Sequence, residues 1–475
     1  MNIIGRKEEQ KMLTDCLDSG RPEFMVVYGR RRIGKTFLIR EYFDHRFSFY
    51  ATGVNDANMS EQLEYFAESL KEYGSEEGGR PENWREAFGR LKRLLESDQV
   101  ARDPVSGRRV VFLDELPWMD TPKSNFKTAL DHFWNSWASS QSDLMLIVCG
   151  SATSWIIGNI LTDKGGFYNR VTRQMHLMPF TLKECEEYFR SEGIQVGDQD
   201  VIMSYMVFGG VPYYLGLISR RMSMAQNIDV LLFDEKGTLY HEFERCFQSL
   251  FRKPQKHMAV IRALAKCRMG MTRQEVLEET EIADGALLTK TLSELVECGF
   301  IRKYQGFMKG SKGVFYQITD PFTLFCLTFL EKKKTSSWMK HMGTPGYYAW
   351  CGLAFETVCL NHVAQIKNAL GISGIESAEY AWRSSKAVPG AQIDLLIDRA
   401  DNVINVCEMK YSASPFEIDK DYAGILNYKM NAFRDETKTK KALHLTLVSA
   451  GGLSKGGYSG MVVNEIGMDD LFGRN

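Results

Sequence analysis

The chain has 475 residues, too many for one hydrophobic core, so we expect about two to four domains. Its formal net charge of -1 exerts no global attraction on nucleic acid, so any such binding must come from a local basic surface. The 10 cysteines include no Cys-x-x-Cys pair, the N-terminus lacks an export signal, and no apolar run approaches the roughly 20 residues that span a bilayer. These features predict a cytoplasmic protein that makes no contact with a membrane.

The first predicted elements are a helix, a strand and a second helix. Apolar residues recur at helical spacing in residues 3–20, and Gly20 ends that helix. The run FMVV, Phe24 to Val27, is typical of a fully buried strand, and KTFLIREYF continues as a helix. This alternation of helices and strands predicts an α/β fold.

The segment VYGRRRIGKTF joins that strand to the second helix. Two glycines five positions apart, followed by lysine and threonine, fit the loop whose backbone amides cradle phosphates while the threonine hydroxyl holds magnesium. The pattern predicts binding of ATP or GTP with Mg2+; the alternative is a plain glycine turn. The loop arginines could attract phosphate or pair with acidic neighbours. The predicted nucleotide-binding residues of the loop are Gly29, Arg30, Arg31, Arg32, Ile33, Gly34, Lys35, Thr36 and Phe37.

A second apolar strand, VVFLDE, ends on two carboxylates. A nucleotide site needs one carboxylate in the magnesium shell and another group that orients or activates water. We therefore assign Asp114 to the metal, together with Thr36, and Glu115 to the water. The alternative is a pair of solvated turn residues.

A third apolar run, Leu144 to Ser151, predicts another strand of the same parallel sheet. Ser151 stands at its tip, where it could sense the terminal phosphate or the attacking water, or could simply cap the strand. Farther on, Arg170 and Arg173 follow a glycine pair. Either arginine could neutralise charge in the transition state, in its own subunit or in a neighbour, or could form surface ion pairs.

The pattern changes near Lys253, where short helices precede two strands joined by a glycine-lysine hairpin. This order predicts a winged helix-turn-helix. Its second helix would point three polar residues outward towards a DNA groove, while basic residues of the hairpin met phosphates. Glu294 and Glu297 on the same helix weaken the DNA interpretation, and such modules also bind proteins. The outward residues are Thr289, Lys290 and Ser293, and the basic residues are Arg302, Lys303, Lys309 and Lys312.

The ordered motifs IIGRKEEQ, VYGRRRIGKTF, VVFLDELPW, IVCGSATSW and FGGVPYYL resemble those of the prokaryotic AAA-related ATPases of archaeal type, relatives of the signal-transducing STAND ATPases. The resemblance spans roughly residues 1–330. It implies a P-loop NTPase core with a parallel sheet over residues 1–180, a helical lid over 181–250 and a winged helix-turn-helix over 251–330.

The same resemblance assigns roles to particular residues. It implies that Lys35 and Thr36 bind the triphosphate and magnesium, and that Asp114 and Glu115 form the second acidic motif. Arg170 matches the position of the arginine finger, although Tyr168 and Asn169 precede it where relatives tend to show a small glycine-arginine pair. The lid turn Gly-Gly-x-Pro is matched by Gly209, Gly210 and Pro212.

A linker of mixed charge, serine, glycine and proline over residues 331–348 precedes a second α/β unit. Its strands IDLLI and VINVCEMK, separated by the turn DRADN, would bring Asp394 close to Glu408 and Lys410. Two carboxylates can hold a divalent cation, and a lysine on the same strand face can orient water or stabilise a phosphate.

Upstream of these strands, Glu356 shares the apolar face of a predicted helix. A carboxylate on such a face needs a partner, which would be either a metal site or a buried arginine or lysine. This spacing of Asp, then Glu-x-Lys, resembles the restriction-endonuclease-like fold of the PD-(D/E)XK nucleases over residues 347–475, although Gln392 and Ile393 stand where the motif has its proline. The resemblance implies catalytic roles for Glu356, Asp394, Glu408 and Lys410, with Asp394 and Glu408 as metal ligands.

The sequence therefore predicts an ATPase whose nucleotide state controls a Mg-dependent, nuclease-like C-terminal domain acting on nucleic acid, in the first place DNA. One alternative is a nucleotide-gated regulator that binds DNA or protein around an inactive nuclease fold. Another is an ATP-binding scaffold whose arginines complete the site of a protein partner or of a second copy in a homo-oligomer.

Overall fold

The computed structural model describes residues 3–162, 165–167, 169–251, 253–308, 313–331, 337–384 and 386–474. The chain divides into two compact units, Met1–Met178 and Pro179–Asn475, which we call the first and the second unit. The predicted ATPase core spans the first unit. The predicted lid, winged helix and C-terminal domain together make up the second.

The first unit contains a five-stranded sheet and surrounding helices. Its strands are β1 (Glu23–Tyr28), β2 (Phe49–Thr52), β3 (Arg109–Asp114), β4 (Leu144–Gly150) and β5 (Arg173–His176). Its helices are α1 (Lys7–Leu17), α2 (Lys35–Tyr42), α3 (Met59–Glu72), α4 (Trp84–Glu96), α5 (Leu116–Met119), α6 (Phe126–Ser136) and α7 (Thr153–Ile156), with short helical turns at Ala138–Ser140 and Ile157–Leu161.

All neighbouring strands of this sheet run parallel, in the order β2-β3-β4-β1-β5. The three strands expected from the sequence are thus neighbours, which confirms the predicted parallel sheet. Because the carboxyl ends of parallel strands meet at one edge, the ends of β1, β3 and β4 converge there.

Both faces of the sheet are buried, which explains why its strands are continuously apolar. In β1, Phe24 and Val26 pack into one hydrophobic core, together with helices α3, α4 and α6. Met25 and Val27 point to the other face and pack into a second core with residues of α1 and α2. The strand is therefore held on both sides, and the loop that follows it starts from a rigid base.

The second unit begins with helices and continues with two further sheets. Its helices are α8 (Leu182–Ser191), α9 (Asp198–Phe208), α10 (Pro212–Leu215), α11 (Met224–Ile228), α12 (Glu242–Leu250), α13 (Pro254–Leu264), α14 (Arg273–Glu279), α15 (Ala286–Glu297), α16 (Pro321–Phe325), α17 (Pro345–Asn361), α18 (Val363–Ala369), α19 (Lys420–Thr437) and α20 (Met468–Leu471), with helical turns at Asp229–Phe233, Cys326–Leu330, Trp338–Lys340 and Ser459–Met461. Its strands are β6 (Met271–Thr272), β7 (Ile301–Gln305), β8 (Val314–Ile318), β9 (Ser377–Arg383), β10 (Gln392–Arg399), β11 (Val403–Lys410), β12 (Ala442–Ser449) and β13 (Asn464–Ile466). Within the described ranges, no helix is both long and apolar enough to cross a membrane.

Residues 254–308 and 313–318 form what we call the helix–hairpin segment. Helices α13, α14 and α15 precede the antiparallel pair β7–β8, and the short strand β6 pairs with β8, so the sheet order is β6-β8-β7. The order of helices and strands is the one expected for the predicted winged helix-turn-helix, which stays a prediction.

The C-terminal sheet is mixed, in the order β13-β12-β11-β10-β9. Strands β10 and β11 pair antiparallel, as the two predicted strands joined by a turn require. Strands β11, β12 and β13 run parallel. At the other edge, Gly306 of the helix–hairpin segment forms a parallel bridge with Ala381 of β9.

An extended hydrophobic core runs through much of the second unit, beside two smaller ones. It joins Phe208 of α9, Leu292 of α15, Phe355 of α17 and Leu395 of β10. The parts that the sequence separates into three domains therefore share buried apolar contacts, which explains why residues 179–475 form one compact unit.

Candidate functional site

The predicted phosphate-binding loop lies between the end of β1 and the start of α2. Gly29 has a φ of 142°, and a Cβ there would lie 2.3 Å from the carbonyl oxygen of Leu177, so a side chain does not fit. Gly34 caps α2 with a φ of 88°, a conformation that glycine adopts readily. Backbone N–H groups at the start of a helix bind anions. The geometry suits a phosphate group at this loop.

Lysine and threonine of the loop contact the groups that their predicted roles require. Buried Lys35 donates from Nζ to the carbonyl oxygens of Gly29 and Arg30, both at 2.9 Å. The Thr36 hydroxyl donates to Oδ2 of Asp114 at 2.8 Å. The two side chains predicted to hold magnesium at this site thus lie together, although they are 78 positions apart in the chain.

The carboxylates at the end of β3 differ in their surroundings. Burial raises the pKa of Asp114, and the hydrogen bond from Thr36 opposes that shift. Glu115 has a left-handed φ of 45°, which turns its side chain towards the end of β4. There the Ser151 hydroxyl and backbone N–H donate to Glu115 Oε2 at 2.9 Å and 3.1 Å. Ser151 therefore holds the carboxylate that we assign to the water, a contact that the sequence did not indicate.

The remaining loop residues divide into buried and exposed ones. Arg30 and Ile33 are buried, and the Ile33 carbonyl oxygen accepts a hydrogen bond from Arg6 at 3.3 Å. Arg31 is exposed, as is 41% of Phe37. Arg31 and Phe37 are thus the loop side chains that solvent reaches most easily.

Arg170, the predicted arginine finger, lies on the surface. Arg170 is exposed, in a segment that follows buried Phe167. Tyr168, which precedes it, lies outside the described residues. The arginine-finger role of Arg170 stays a prediction.

Comparison with protein families decides the class of the first unit. The family profile described as "ATPase domain predominantly from Archaea" matches residues 3–218. Residues 3–218 are an ATPase domain of this family. The predicted choice between ATP and GTP is thereby made in favour of ATP, and the matched region contains every residue of the loop site described above.

Individual relatives are similar to this chain over different lengths. An uncharacterised protein of Methanocaldococcus jannaschii is 26% identical over 338 residues, which cover 69% of this chain and 69% of the relative. An uncharacterised ATP-binding protein of the same organism is 34% identical over 44 residues, which cover 9% of this chain and 75% of the relative.

Two solved structures are similar at lower identity. A Walker-type ATPase of Pyrococcus abyssi has a TM-score of 0.48 and 18% identity, covering 69% of this chain and 96% of that chain. The ORC2 protein of Aeropyrum pernix, in ADPNP and ADP complexes, has a TM-score of 0.42 and 14% identity, covering 76% of this chain and 96% of that chain.

Beyond the ATPase domain, Asp394 and Glu408 lie side by side at the end of the β10–β11 pair. Leu395 pairs with Cys407, so Asp394 lies opposite Glu408 on one face of the sheet. Oδ1 of Asp394 is buried and accepts no hydrogen bond from any described residue. Burial raises the pKa of Asp394, Arg268 opposes the shift, and Glu408 adds to it.

The Glu408 carboxylate contacts three side chains. Lys429 Nζ donates to it at 2.9 Å, the Tyr422 hydroxyl also donates to it, and Lys410 Nζ lies at 3.2 Å. Burial acts to raise the pKa of Glu408, but Lys429 and Lys410 outweigh it and hold that pKa below its usual range. Glu408 and Lys410 are thus in contact as the spacing predicts, and α19 adds Tyr422 and Lys429.

Glu356 of α17 is paired with an arginine. Arg268 Nε donates to Glu356 Oε2 at 2.9 Å, and the two side chains form an ion pair. Of the two partners considered for this carboxylate from the sequence, the structure has the basic residue. Glu356 does not join Asp394 and Glu408 in a group of carboxylates that could share a metal ion among the described residues.

The predicted DNA-contacting residues of the helix–hairpin segment are only partly available. Arg302 donates from Nε to Gln317 Oε1 at 2.8 Å, and its charge reaches Asp394. Its charge therefore acts on the acidic pair, and its contact with a DNA phosphate stays a prediction. Lys303 is exposed. The outward residues of α15 contact neighbours in the same segment: Thr289 with Arg273, Lys290 with Glu294, and Ser293 with Glu297. Lys309 and Lys312 lie outside the described residues.

The buried, unpartnered Oδ1 of Asp394 is compatible with a magnesium ion at the acidic pair. Magnesium sites commonly use one or two carboxylates and keep several waters. Asp394 and Glu408 would supply those carboxylates, just as Thr36 and Asp114 would in the ATPase domain. The described residues contain no group of three or more His, Cys, Asp or Glu side chains placed to hold a metal, so water or phosphate oxygens would have to complete either shell.

Three residues of this site escaped the sequence analysis. Tyr422 and Lys429 lie seven positions apart on α19, which puts them on one face of the helix, and that spacing is a signal that could have been found. Arg268 lies in the turn between α13 and β6, and nothing near it in the sequence points to Glu356.

Proposed function

We propose that the ATPase domain controls a magnesium-dependent centre in the C-terminal domain that cleaves phosphodiester bonds of nucleic acid, in the first place DNA. The observation that supports it best is the buried Oδ1 of Asp394, which lies next to Glu408 and has no partner among the described residues. A buried carboxylate oxygen without a partner is costly, and such costs persist where a ligand or a reaction uses the group.

The side chains around this oxygen suit the hydrolysis of a phosphodiester. Bound magnesium would polarise the phosphate and lower the pKa of a water. Asp394 and Glu408 would hold the ion. Lys410 lies on the same strand face as Glu408 and can donate to a phosphate oxygen or orient the water.

The test is a nicking assay on supercoiled plasmid and on single-stranded DNA and RNA, with Mg2+ and then with EDTA. Wild-type protein is expected to nick only with Mg2+, and Asp394→Asn and Lys410→Ala are expected to reduce nicking to background. Asp398→Asn is the matched control, because Asp398 lies on the same strand but pairs with Lys441 at 2.6 Å. Equal activity of Asp394→Asn and Asp398→Asn would assign the nicking to another site or to a contaminant.

Control by nucleotide is tested in the same assay. We expect the nicking rate to differ between ATP and ADP in the wild type, and the difference to vanish in Lys35→Ala, because that variant loses the lysine of the phosphate loop. Identical nicking rates with ATP, with ADP and without nucleotide would show that nicking is independent of the ATPase domain and would contradict control by nucleotide.

A second candidate function is a nucleotide-gated regulator that binds nucleic acid or protein around an inactive centre. The contacts of Glu408 favour this regulator. Its carboxylate, which would have to bind the metal, is already contacted by Lys429, Lys410 and Tyr422. Nucleic-acid binding that responds to ATP, without any Mg-dependent nicking, would support the regulator over the nuclease.

A further inference from the structure

The helix–hairpin segment brings two arginines to the acidic pair of the C-terminal domain. Arg268 contacts Glu356, and the charges of Arg268 and Arg302 both reach Asp394. About half of the Arg268 side chain is exposed, whereas that of Glu356 is 7% exposed. Arg268 therefore stands at the rim of the site, with its inner edge on Glu356 and its outer edge towards solvent.

Hydrogen bonds within the segment hold these arginines in place. Gln317 donates to the backbone carbonyl of Arg268 at 2.7 Å and accepts from Arg302 at 2.8 Å. The Arg302 guanidinium also lies over the Tyr304 ring, 4.7 Å from its centre. One glutamine side chain thus links the Arg302 guanidinium to the backbone of Arg268.

The segment as a whole is anchored to the C-terminal sheet. The Phe307 N–H donates to the Ala381 carbonyl at 2.9 Å. The Phe307 ring is buried against Tyr380 and Phe433. Separating the two would expose these aromatic rings to water, which favours a fixed position for the segment that carries Arg268 and Arg302.

Cations outnumber carboxylates in this cluster. The cations are Arg268, Arg302, Lys410 and Lys429, and the carboxylates are Glu356, Asp394 and Glu408. The charge of Glu379 also reaches Arg302, but Glu379 pairs with Lys367 at 2.8 Å. An excess of positive charge around two carboxylates suits a ligand that is itself anionic.

The guanidinium of Arg268 has hydrogen-bond donors that Glu356 does not use. It contacts Glu356 through Nε and Nη2, and Nη1 makes no hydrogen bond within the described part of the chain. Arginine can bind a carboxylate along one edge and a phosphate along another, because its donors form a planar fork. Glu356 then serves as a positioning residue that holds this fork.

We propose that Arg268 and Arg302 bind a backbone phosphate of nucleic acid beside Asp394 and Glu408, so that the helix–hairpin segment and the C-terminal sheet form one composite substrate site. This inference rests on the proposed action on nucleic acid. It does not require that the strand be cut.

The experiment measures binding rather than cleavage. Full-length protein in EDTA is titrated with a fluorescein-labelled oligonucleotide, single-stranded and as duplex, at several KCl concentrations. Arg268→Gln and Arg302→Gln are each expected to weaken binding about tenfold. Each is also expected to reduce the slope of log K against log salt, by up to roughly 0.7 for the single strand and 0.9 for the duplex.

Control variants separate a phosphate contact from a structural role. Arg262→Gln removes an exposed arginine of the same segment that pairs with Glu331 at 2.7 Å, and it should leave the slope unchanged. The double variant Arg268→Gln/Glu356→Gln removes the unpaired carboxylate that Arg268→Gln leaves behind. It is expected to recover thermal stability without recovering the slope.

The outcomes distinguish this inference from the proposed function. Wild-type binding with unchanged slopes in Arg268→Gln and Arg302→Gln overturns the phosphate site alone, as does a wild-type slope in the double variant. No binding of any oligonucleotide by the wild type overturns both. Lower slopes in the two variants, in a protein that never nicks DNA with Mg2+, uphold the phosphate site and reject the nuclease.

Discussion

In the ATPase domain, Ser151 fixes the position of Glu115, the carboxylate that we predict to orient water. The left-handed backbone of Glu115 and its two hydrogen bonds from Ser151 hold the carboxylate at the meeting point of β3 and β4. A carboxylate that orients water must keep one position during turnover. The geometry therefore makes Ser151 a support for Glu115 rather than only a strand cap.

We predict that Ser151→Ala lowers kcat for ATP about tenfold and leaves KM nearly unchanged, because one charge-assisted hydrogen bond to Glu115 is lost. Steady-state phosphate release measures both constants. Thr162→Ala is the control, since its hydroxyl donates to the nearby Ile157 carbonyl at 2.9 Å. A rise in KM with normal kcat would instead indicate that Ser151 binds the nucleotide.

The ionised form of buried Asp394 lowers the stability of the fold. Its raised pKa means that the fold favours the neutral form. The group therefore stabilises the fold most below its unfolded pKa, near 3.8, and this contribution is lost as the pH rises through the folded value.

We accordingly predict that Asp394→Asn raises the free energy of unfolding at neutral pH by about 1–3 kcal/mol, because the buried unpaired charge disappears. The gain should shrink towards zero as the pH falls to 4 and below, where wild-type Asp394 is itself neutral. Chemical denaturation at several pH values in EDTA measures it. A gain that is independent of pH would mean that the charge of Asp394 is not its cause.

Contacts between elements join the helix–hairpin segment to β9. The parallel bridge of Gly306 with Ala381 covers an edge strand of the C-terminal sheet, and open edges of this kind invite aggregation. Phe307 secures the contact by packing into the small core that contains Trp382 and Phe433.

Phe307→Ala is expected to destabilise the second unit by about 3–5 kcal/mol, as removal of a buried aromatic ring usually does. Its neighbour Met308 provides a matched control, because it is 71% exposed and Met308→Ala should change stability by less than about 0.5 kcal/mol. Denaturant unfolding measures both. Similar effects of the two substitutions would contradict the docked position of the segment.

At the scale of the whole molecule, the chain contains an ATPase domain over residues 3–218 and a second compact unit with an extended hydrophobic core. Lys35 lies in the first unit, and its Nζ donates to the loop carbonyls of Gly29 and Arg30. A change there removes nucleotide chemistry without touching the packing of residues 179–475.

Lys35→Ala is therefore expected to abolish phosphate release from ATP. The Mg-dependent nicking that we propose for the second unit should persist, but without any response to nucleotide. Lys71→Ala, an exposed lysine of α3, should behave as wild type. Phosphate release and thermal unfolding are measured on both. Retained hydrolysis in Lys35→Ala would contradict the assignment of the loop.

Local sequence was enough for features whose determinants are close together in the chain. The loop from Gly29 to Thr36 carries its own signature, because glycine freedom and the start of a helix are local properties. The buried strands were equally visible as apolar runs. Asp114 and Glu408 were predicted as metal ligands because each lies at or near the end of such a run, and strand ends are where parallel or paired strands expose functional groups.

Partners from distant parts of the chain could be known only from the tertiary structure. Arg268 reaches Glu356 across 88 positions, and Ser151 reaches Glu115 across 36, distances at which no periodic pattern relates two residues. For the same reason, the sequence did not predict that the three expected domains share a hydrophobic core. Sequence by itself determined the ATPase class and predicted the chemistry of the second site, since residue type and spacing along one strand, loop or helix carry that information. The pairing of charges was decided by packing, because only the folded chain establishes which side chains share a dry, low-dielectric space.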